Sequence, residues 1–320
     1  MAKAIEAAGL TKAYDGLAAV SGIDFSVEEG EVFGFLGPNG AGKTTTIRML
    51  TGLSKPTAGG ARVLGYDIAS EIIKAKRAFG VVPEQSNMYD ELSGLENLVF
   101  LEQLYGMPRS ECRTRAEELL KTFGLSERKD SKFATYSRGM KRALTIAAAL
   151  VHKPRLLFLD EPTVGLDVVA ARSLRAIIKH QKEFGITVFL TTHYLEEADI
   201  LCDRIALLVK GKIVAIDTPA RLKSMAEERP ALEVSFKTSL DNAADELGRR
   251  LPDLSVVKVE DRIRIYGGDA DAVLHAILGY ATEKGTQVAS VSSLKPSLED
   301  AFVKLTGLSP MVMVAEKGGR

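Results

Sequence analysis

The sequence has few cysteines, no net charge and no long apolar run. Its two cysteines, Cys112 and Cys202, lie far apart and outside any Cys-x-x-Cys spacing, which excludes a disulfide framework and favours reduced thiols in a cytoplasmic protein. No stretch reaches the roughly 18 apolar residues of a membrane span, and the N-terminus lacks the apolar core of a signal peptide. The 42 basic residues balance the 42 acidic ones, which argues against a general nucleic-acid binder. We therefore expect a cytoplasmic chain whose role at a membrane, if it has one, comes through a partner.

The length and composition predict a globular protein of about two domains. The chain has 320 residues, of which 46% are hydrophobic and 26% charged. Short apolar runs alternate with helical spacing over the first two thirds, which indicates an α/β domain with a mostly parallel sheet. The predicted strands of this sheet include 32–36, 156–159, 188–190 and 205–209.

Residues 87–142 differ from the rest of this first domain. They are rich in Leu, Glu, Lys and Arg, with helical periodicity over 95–105 and 113–123. We interpret them as a helical insertion between two core strands. The first domain is predicted to span 1–220.

A second, smaller domain is predicted at 231–306, after a linker at 221–230. Its elements follow the order β-α-β-β-α-β, which fits a ferredoxin-like sandwich. A closing helix over 297–306 has Ser297 as its predicted N-cap. Residues 307–320 are predicted to form a flexible tail.

A glycine-rich segment after the first buried strand predicts a phosphate site. Gly37-Pro38-Asn39-Gly40-Ala41-Gly42-Lys43-Thr44 matches G-x-x-x-x-G-K-[ST] between a predicted strand and a predicted helix. The glycines let backbone N–H groups face phosphates, and the helix adds its positive end. Lys43 is expected to reach the β- and γ-phosphates and Thr44 to bind magnesium. The predicted nucleotide contacts on this segment are Gly37, Pro38, Asn39, Gly40, Ala41, Gly42, Lys43, Thr44 and Thr45.

Two carboxylates end the predicted strand 156–159. Asp160 and Glu161 follow directly, and alternation along a strand is expected to point them to different sides. We assign Asp160 to magnesium and Glu161 to the general base that polarises water.

These residues, with further motifs in order, resemble the ATP-binding-cassette (ABC) ATPases over roughly 3–220. Gln85 resembles the glutamine of the Q-loop, and Ser137-Arg138-Gly139-Met140 resembles the signature motif. His193 resembles the switch histidine, and Gly165-Leu166-Asp167 the D-loop. Tyr14 stands where the family stacks an aromatic ring on adenine.

The resemblance implies ATP and Mg²⁺ as ligands and a head-to-tail homodimer. Ser137, Gly139 and Asp167 are then expected at the nucleotide of the partner copy. His193 would steady the γ-phosphate, and Gln85 would contact the metal and report the γ-phosphate to the insertion. Arg138 departs from the family pattern by replacing a glycine. Its side chain either adds positive charge near the nucleotide or faces solvent, and we favour solvent.

The second domain narrows the resemblance to the daunorubicin-resistance type of exporter ATPase. It ends in Pro296-Ser297-Leu298-Glu299-Asp300-Ala301-Phe302. This layout implies export of a drug, lipid, polysaccharide or ion through a separately encoded permease, with the chain held at the inner face of the cell membrane. The permease is expected to dock on the insertion near Met88, Tyr89 and Leu92.

Two other functions fit parts of the sequence less well. A soluble ABC ATPase acting on ribosomes or DNA usually has two cassettes or a long coiled coil, and this sequence shows one cassette, no long heptad run and no basic stripe. A kinase or GTPase would leave the signature motif and the switch histidine unexplained, and no Asn-Lys-x-Asp guanine reader is present.

Overall fold

The computed structural model describes residues 2–226, 231–237, 242–259, 261–294, 296–308 and 313. Contacts divide the chain into two compact units, one formed by the described residues of Met1–Pro219 and Leu305–Arg320 and the other by those of Ala220–Lys304. Among the described residues, no helix is both long enough and apolar enough to cross a lipid bilayer.

Among its described residues the first unit contains, besides two short 3-10 helices at Ser126–Arg128 and Phe133–Thr135, ten strands and seven α-helices. In chain order they are β1 (Lys3–Tyr14), β2 (Leu17–Glu28), β3 (Val32–Leu36), α1 (Lys43–Leu50), β4 (Ala58–Val63), β5 (Tyr66–Asp67), α2 (Ile72–Lys76), β6 (Phe79–Val82), α3 (Gly94–Leu104), α4 (Arg109–Thr122), α5 (Arg138–Ala149), β7 (Leu156–Asp160), α6 (Val168–Glu183), β8 (Thr187–Thr192), α7 (Leu195–Leu201), β9 (Arg204–Val209) and β10 (Lys212–Asp217).

These strands form two sheets. One is antiparallel with the order β2-β1-β4-β5, and the other has the order β10-β9-β3-β8-β7-β6. In the second sheet β9, β3, β8, β7 and β6 are parallel and β10 is antiparallel to β9. The carboxyl ends of the parallel strands share one edge, so the segments after β3, β6, β7 and β8 converge there.

An aromatic core fills the space between the two sheets. Phe25 of β2 packs against Phe33, Phe35 and Phe189, and Phe189 also packs on Phe158. Ring centroids in these pairs are 5.0 to 6.1 Å apart. Each such side chain, once buried, contributes roughly 1.5–3 kcal/mol, so this cluster fixes the sheet that carries the site.

The helical insertion consists of α3 and α4 and leads into α5. Ser93 caps α3 with a reciprocal capping box, in which its hydroxyl accepts from the Glu96 amide and the Glu96 carboxylate accepts from the Ser93 amide. Residue 142, the predicted end of the insertion, falls inside α5. That helix continues to Ala149 along the sheet because its later residues are buried.

The second unit is a four-stranded antiparallel sheet with two helices on one face. Its elements are α8 (Pro219–Ala226, starting at the division), β11 (Ala231–Phe236), α9 (Ala243–Arg250), β12 (Ser255–Val259), β13 (Arg262–Tyr266), α10 (Ala270–Glu283), β14 (Val288–Leu294) and α11 (Leu298–Thr306). The strand order β12-β13-β11-β14 is that of a ferredoxin-like sandwich. The predicted fold class is therefore confirmed for both units.

One detail differs from the predicted organisation, and the predicted cap at Ser297 agrees with it. Most of the linker predicted at 221–230 is helix α8, and 227–230 lie outside the described residues. Ser297 caps α11, since its hydroxyl accepts from the Asp300 amide at 3.1 Å. Most of the predicted tail 307–320 also lies outside the described residues.

Candidate functional site

The phosphate loop connects β3 to α1 at the carboxyl edge of the parallel sheet. At two glycines of this loop, the neighbouring backbone leaves no room for a side chain. A Cβ on Gly37 would lie 2.1 Å from the Leu208 carbonyl oxygen, and Gly42 combines a φ of +106° with a Cβ position 2.5 Å from the Ala19 carbonyl oxygen. Side chains at these positions would push the loop away from the neighbouring strands.

A cavity of about 780 Å³ opens above this loop. Most of the predicted site residues line it, namely Tyr14, Pro38, Asn39, Gly40, Ala41, Gly42, Lys43, Thr44, Thr45, Glu161 and His193. The predicted residues that do not line it are Gly37, Gln85, Ser137, Gly139, Asp160 and Asp167. A cradle of backbone N–H groups with one lysine is suited to phosphates.

Thr44 and Asp160 form an oxygen-rich pair beside the loop. The Thr44 hydroxyl donates to Asp160 Oδ1 at 3.2 Å, and the Thr191 hydroxyl donates to the same oxygen at 2.6 Å. Burial raises the pKa of Asp160, and these two hydrogen bonds oppose the rise. Hydroxyl and carboxylate oxygens are the ligands that Mg²⁺ prefers, so the pair fits the predicted metal role.

Glu161 and His193 meet in the same cavity. His193 Nδ1 lies 2.9 Å from Glu161 Oε2, while Glu161 Oε1 faces Lys43. Burial alone would raise the pKa of Glu161, but the His193 hydrogen bond and the Lys43 charge outweigh it and hold that pKa below its usual value. The carboxylate is therefore ionised at neutral pH, as a general base must be.

The backbone, rather than strand alternation, turns Glu161 into the cavity. Strand β7 ends at Asp160, and Glu161 has a φ of +47°, a conformation that costs a non-glycine residue about 1–2 kcal/mol. Its amide donates to the Thr191 hydroxyl at 3.0 Å. The two carboxylates thus both reach the phosphate loop, Asp160 at Thr44 and Glu161 at Lys43.

In the segment after β6, Glu84 rather than Gln85 reaches the cavity. Both residues are exposed, but only Glu84 lines the cavity. Val82 of β6 pairs with Leu159 of β7, so the segment after β6 begins beside the strand end that carries Asp160. The charge of Glu84 also contributes to the raised pKa of Asp160. The geometry therefore gives the predicted role of Gln85 no support, and Glu84 is the residue that sequence reasoning missed.

Tyr14 ends β1 at the rim of the cavity. It pairs with Leu17 across a two-residue turn in which Asp15 and Gly16 have φ values of 47° and 82°. Its ring is 43% exposed and has the Lys12 amine 4.9 Å from its centroid. A half-exposed ring in this position can stack on a flat ligand.

The predicted contacts to a second nucleotide lie at two helix starts. Ser137 is the N-cap of α5, where its hydroxyl accepts from the Met140 amide at 3.2 Å, and Gly139 follows in the first turn. Asp167 caps α6 by accepting from the Ala170 amide at 2.8 Å. Ser137, Arg138 and Asp167 are exposed. None of them joins the phosphate cavity of its own chain.

Glu197 is a further buried group that sequence reasoning missed. It accepts a hydrogen bond from the Thr192 hydroxyl at 2.6 Å, and that hydroxyl accepts from the Tyr194 amide at 3.0 Å. These bonds enclose His193 and fix its loop. An acid in the first turn of the helix after the switch histidine was the available signal.

A second cavity of about 690 Å³ is lined by the helical insertion together with the sheet and α5. We call it the insertion groove; its lining includes Leu53, Ile73, Lys76, Arg77, Phe79, Val81, Pro83, Met88, Leu101 and Tyr105. Of the three predicted docking residues, Met88 lines the groove and Tyr89 and Leu92 do not. Tyr89 is 51% exposed and packs edge-on against Phe100 at 5.3 Å.

Comparison with known proteins gives a consistent result. The family described as "ABC transporter" matches residues 20–164. The chain is 39% identical over 306 residues to the linearmycin resistance ATP-binding protein of Bacillus subtilis, a match that covers 95% of this chain and 98% of that protein. It is 47% identical over 222 residues to the daunorubicin/doxorubicin resistance ATP-binding protein of Streptomyces peucetius, covering 69% of this chain and 67% of that one.

Solved structures show the same similarity. An ATP-binding subunit of an ABC transporter superposes with a TM-score of 0.63 and 33% identity, covering 69% of this chain and 92% of that one. A dimeric ATP-binding cassette in a post-hydrolysis state with ADP and Pi superposes with a TM-score of 0.62 and 27% identity, covering 67% of this chain and 98% of that one.

Proposed function

This chain belongs to the ABC transporter family, and from that membership we propose that it hydrolyses ATP to drive export through a separate membrane permease. The observation that carries the proposal is the cluster of Lys43, Glu161 and His193 over the phosphate loop, with Thr44 and Asp160 alongside. This set contains a phosphate-binding cation, an ionised base, its imidazole neighbour and a metal-ligand pair. Phosphoryl transfer to water requires these groups.

ATP binds with its phosphates on the loop 37–44 and its adenine at Tyr14. Backbone N–H groups and the N-terminus of α1 neutralise the phosphates, and Lys43 adds a full charge. Thr44 and Asp160 would hold Mg²⁺, which would supply positive charge to neutralise the phosphates. Glu84 places a negatively charged carboxylate where a glutamine would place a neutral amide.

Glu161 accepts a proton from the attacking water, and His193 orients the carboxylate through Oε2. A γ-phosphate on the loop competes with Glu161 for the amine of Lys43. Transfer of that contact from carboxylate to phosphate frees Oε1 for water. Binding of ATP thus prepares the base that cleaves it.

Two copies complete the site. Ser137 and Gly139 at the start of α5 present helix N–H groups to the γ-phosphate of the partner copy, with Asp167 nearby. The exposure of Ser137 and Asp167 supports this arrangement, and so does the dimeric state of the similar cassette that binds ADP and Pi.

The permease docks in the insertion groove, and the chain then works at the inner face of the membrane. Exposed apolar side chains around the insertion support this proposal: Tyr105 is 51% exposed, Ile73 73% and Leu53 69%. Export of an antibiotic-like compound is proposed because the two relatives from Bacillus subtilis and Streptomyces peucetius are resistance proteins.

The proposal is tested by phosphate release from ATP and Mg²⁺ by the purified chain, alone and with the membrane protein that it retrieves from its host. We expect saturable hydrolysis, and at least a tenfold loss of ATP affinity in Lys43→Ala. Bound ATP without hydrolysis in both preparations would contradict the enzymatic part. Retrieval of ribosomes or DNA in place of a membrane protein would contradict the transport part and favour a soluble ABC ATPase.

A further inference from the structure

One buried arginine joins the two loops that carry the acidic side chains of the site. Arg142 lies in α5, is 7% exposed, and directs its guanidinium toward the segments that follow β6 and β7. Nε donates to the Pro162 carbonyl at 2.8 Å. Nη2 donates to the carbonyls of Asp160 at 2.7 Å and Glu161 at 3.1 Å.

The remaining nitrogen reaches the other loop. Nη1 donates to the carbonyl of Pro83 and, at 3.2 Å, to that of Glu84. A guanidinium has five N–H groups in a rigid planar fork, and here five backbone carbonyls from two loops accept from it. Burial lowers the pKa of Arg142 to about 10, and the charges of Asp160, Glu197, Glu84 and Glu161 work against that fall. The arginine therefore stays charged at neutral pH.

Three of the carbonyls that accept from Arg142 belong to the strained backbone at and around Glu161. Glu161 has a φ of +47°, and the hydrogen bonds to Asp160, Glu161 and Pro162 surround that strained residue. Pro83 also lines the insertion groove. Arg142 thus contacts the backbone of Glu84 and Glu161, the two acids that face the phosphate cavity, and the backbone of Pro83 in the insertion groove.

We propose that Arg142 is a positioning residue that sets Glu84 and Glu161 relative to each other for ATP hydrolysis. This inference rests on the proposed function. Arg142 acts through backbone carbonyls and does not line the phosphate cavity. Its removal should slow the chemical step and leave ATP affinity nearly unchanged, because Lys43 and the loop glycines do not touch it.

The test is Arg142→Lys, which keeps the charge but loses the planar fork. A lysine has three N–H donors on one atom and cannot serve both loops at once. We expect kcat to fall at least tenfold while the Kd for ATP changes less than threefold. The matched control is Arg115→Lys, since Arg115 also donates to a backbone carbonyl, that of Leu150 at 3.4 Å, but touches neither loop. Its kcat should remain within twofold of the wild-type value.

Arg142→Gln serves as the second variant, with circular dichroism used to choose a temperature at which each protein is folded. A kcat within twofold of wild type in Arg142→Lys would overturn the inference. The inference would also be overturned if ATP affinity fell in parallel with kcat, or if Arg115→Lys lost as much kcat as Arg142→Lys. Failure of both Arg142 variants to fold at any temperature would overturn it as well. Each of these results would mean that Arg142 contributes only to general stability. Wild-type protein without hydrolysis refutes the proposed function itself, whereas an active wild type with an equally active Arg142→Lys refutes only this inference.

Discussion

The amine of Lys43 lies 3.0 Å from Oε1 of Glu161, and both side chains are buried. The same amine donates to the Gly37 carbonyl at 2.5 Å and to the Pro38 carbonyl at 3.2 Å. Nδ1 of His193 is in hydrogen-bond contact with Oε2, the other carboxylate oxygen of Glu161. The proposed base is therefore held at both oxygens, in a place where a γ-phosphate on the loop meets it.

Replacing Glu161 by Gln should separate binding from hydrolysis. The amide keeps the shape of the side chain but cannot accept a proton, and a general base contributes roughly 10²–10⁴-fold to rate. We expect hydrolysis to fall at least 100-fold, ATP binding to persist, and an ATP-bound dimer to accumulate. Phosphate release and light scattering after gel filtration measure these outcomes. A fully active Glu161→Gln protein would show that another group takes the proton.

Glu84 and Gln85 provide a paired test of the loop after β6. Both side chains are exposed, but only Glu84 lines the phosphate cavity. We expect Glu84→Ala to lower kcat about tenfold and to raise the Mg²⁺ concentration for half-maximal activity, because a carboxylate near the metal is lost. Gln85→Ala should stay within twofold of wild type. The reverse ranking of the two variants would restore the role predicted for Gln85.

Much of the fold was predictable from periodicity, whereas the loop after β6 was not. Strand β3 occurs at its predicted residues, and the helical periodicity predicted over 95–105 coincides with α3, because the apolar spacing of both segments is regular. The choice between Glu84 and Gln85 depends instead on the conformation of the loop after β6, which lies next to β7 through a long-range strand pairing that one sequence does not display. The left-handed backbone at Glu161 was equally hidden, since no glycine marks it.

Tyr14 should affect nucleotide affinity without affecting the chemical step. Stacking of a base on an aromatic ring is worth about 1–3 kcal/mol, so Tyr14→Ala should raise the KM for ATP about tenfold at nearly constant kcat. Tyr14→Phe is the control, because it keeps the ring and removes the hydroxyl; its KM should match that of wild type. The measurement is steady-state ATPase kinetics. Equal KM values for Tyr14→Ala and wild type would remove Tyr14 from the adenine site.

Glu102 should make the first unit less stable as the pH rises. It lies fully buried in α3, and neither carboxylate oxygen has a hydrogen-bond partner among the described residues. Burial raises its pKa from 4.5 to about 7, with Arg115 opposing and Glu118 adding to the rise. Because the folded state holds the proton more tightly, the penalty is absent below about pH 4.5, grows as the pH rises, and is complete above pH 7.

Glu102→Gln removes this titration, so the difference in unfolding free energy between variant and wild type should grow by about 2 kcal/mol from pH 5 to pH 8. Urea unfolding at both pH values measures it, and other titrating groups cancel in the difference. Glu127→Gln is the control, since that side chain is exposed and does not contribute to the raised pKa of Glu102, so its profile should parallel that of wild type. A difference between Glu102→Gln and wild type that does not change with pH would mean that Glu102 is ionised in the folded protein at pH 5 and is stabilised by the charge of Arg115.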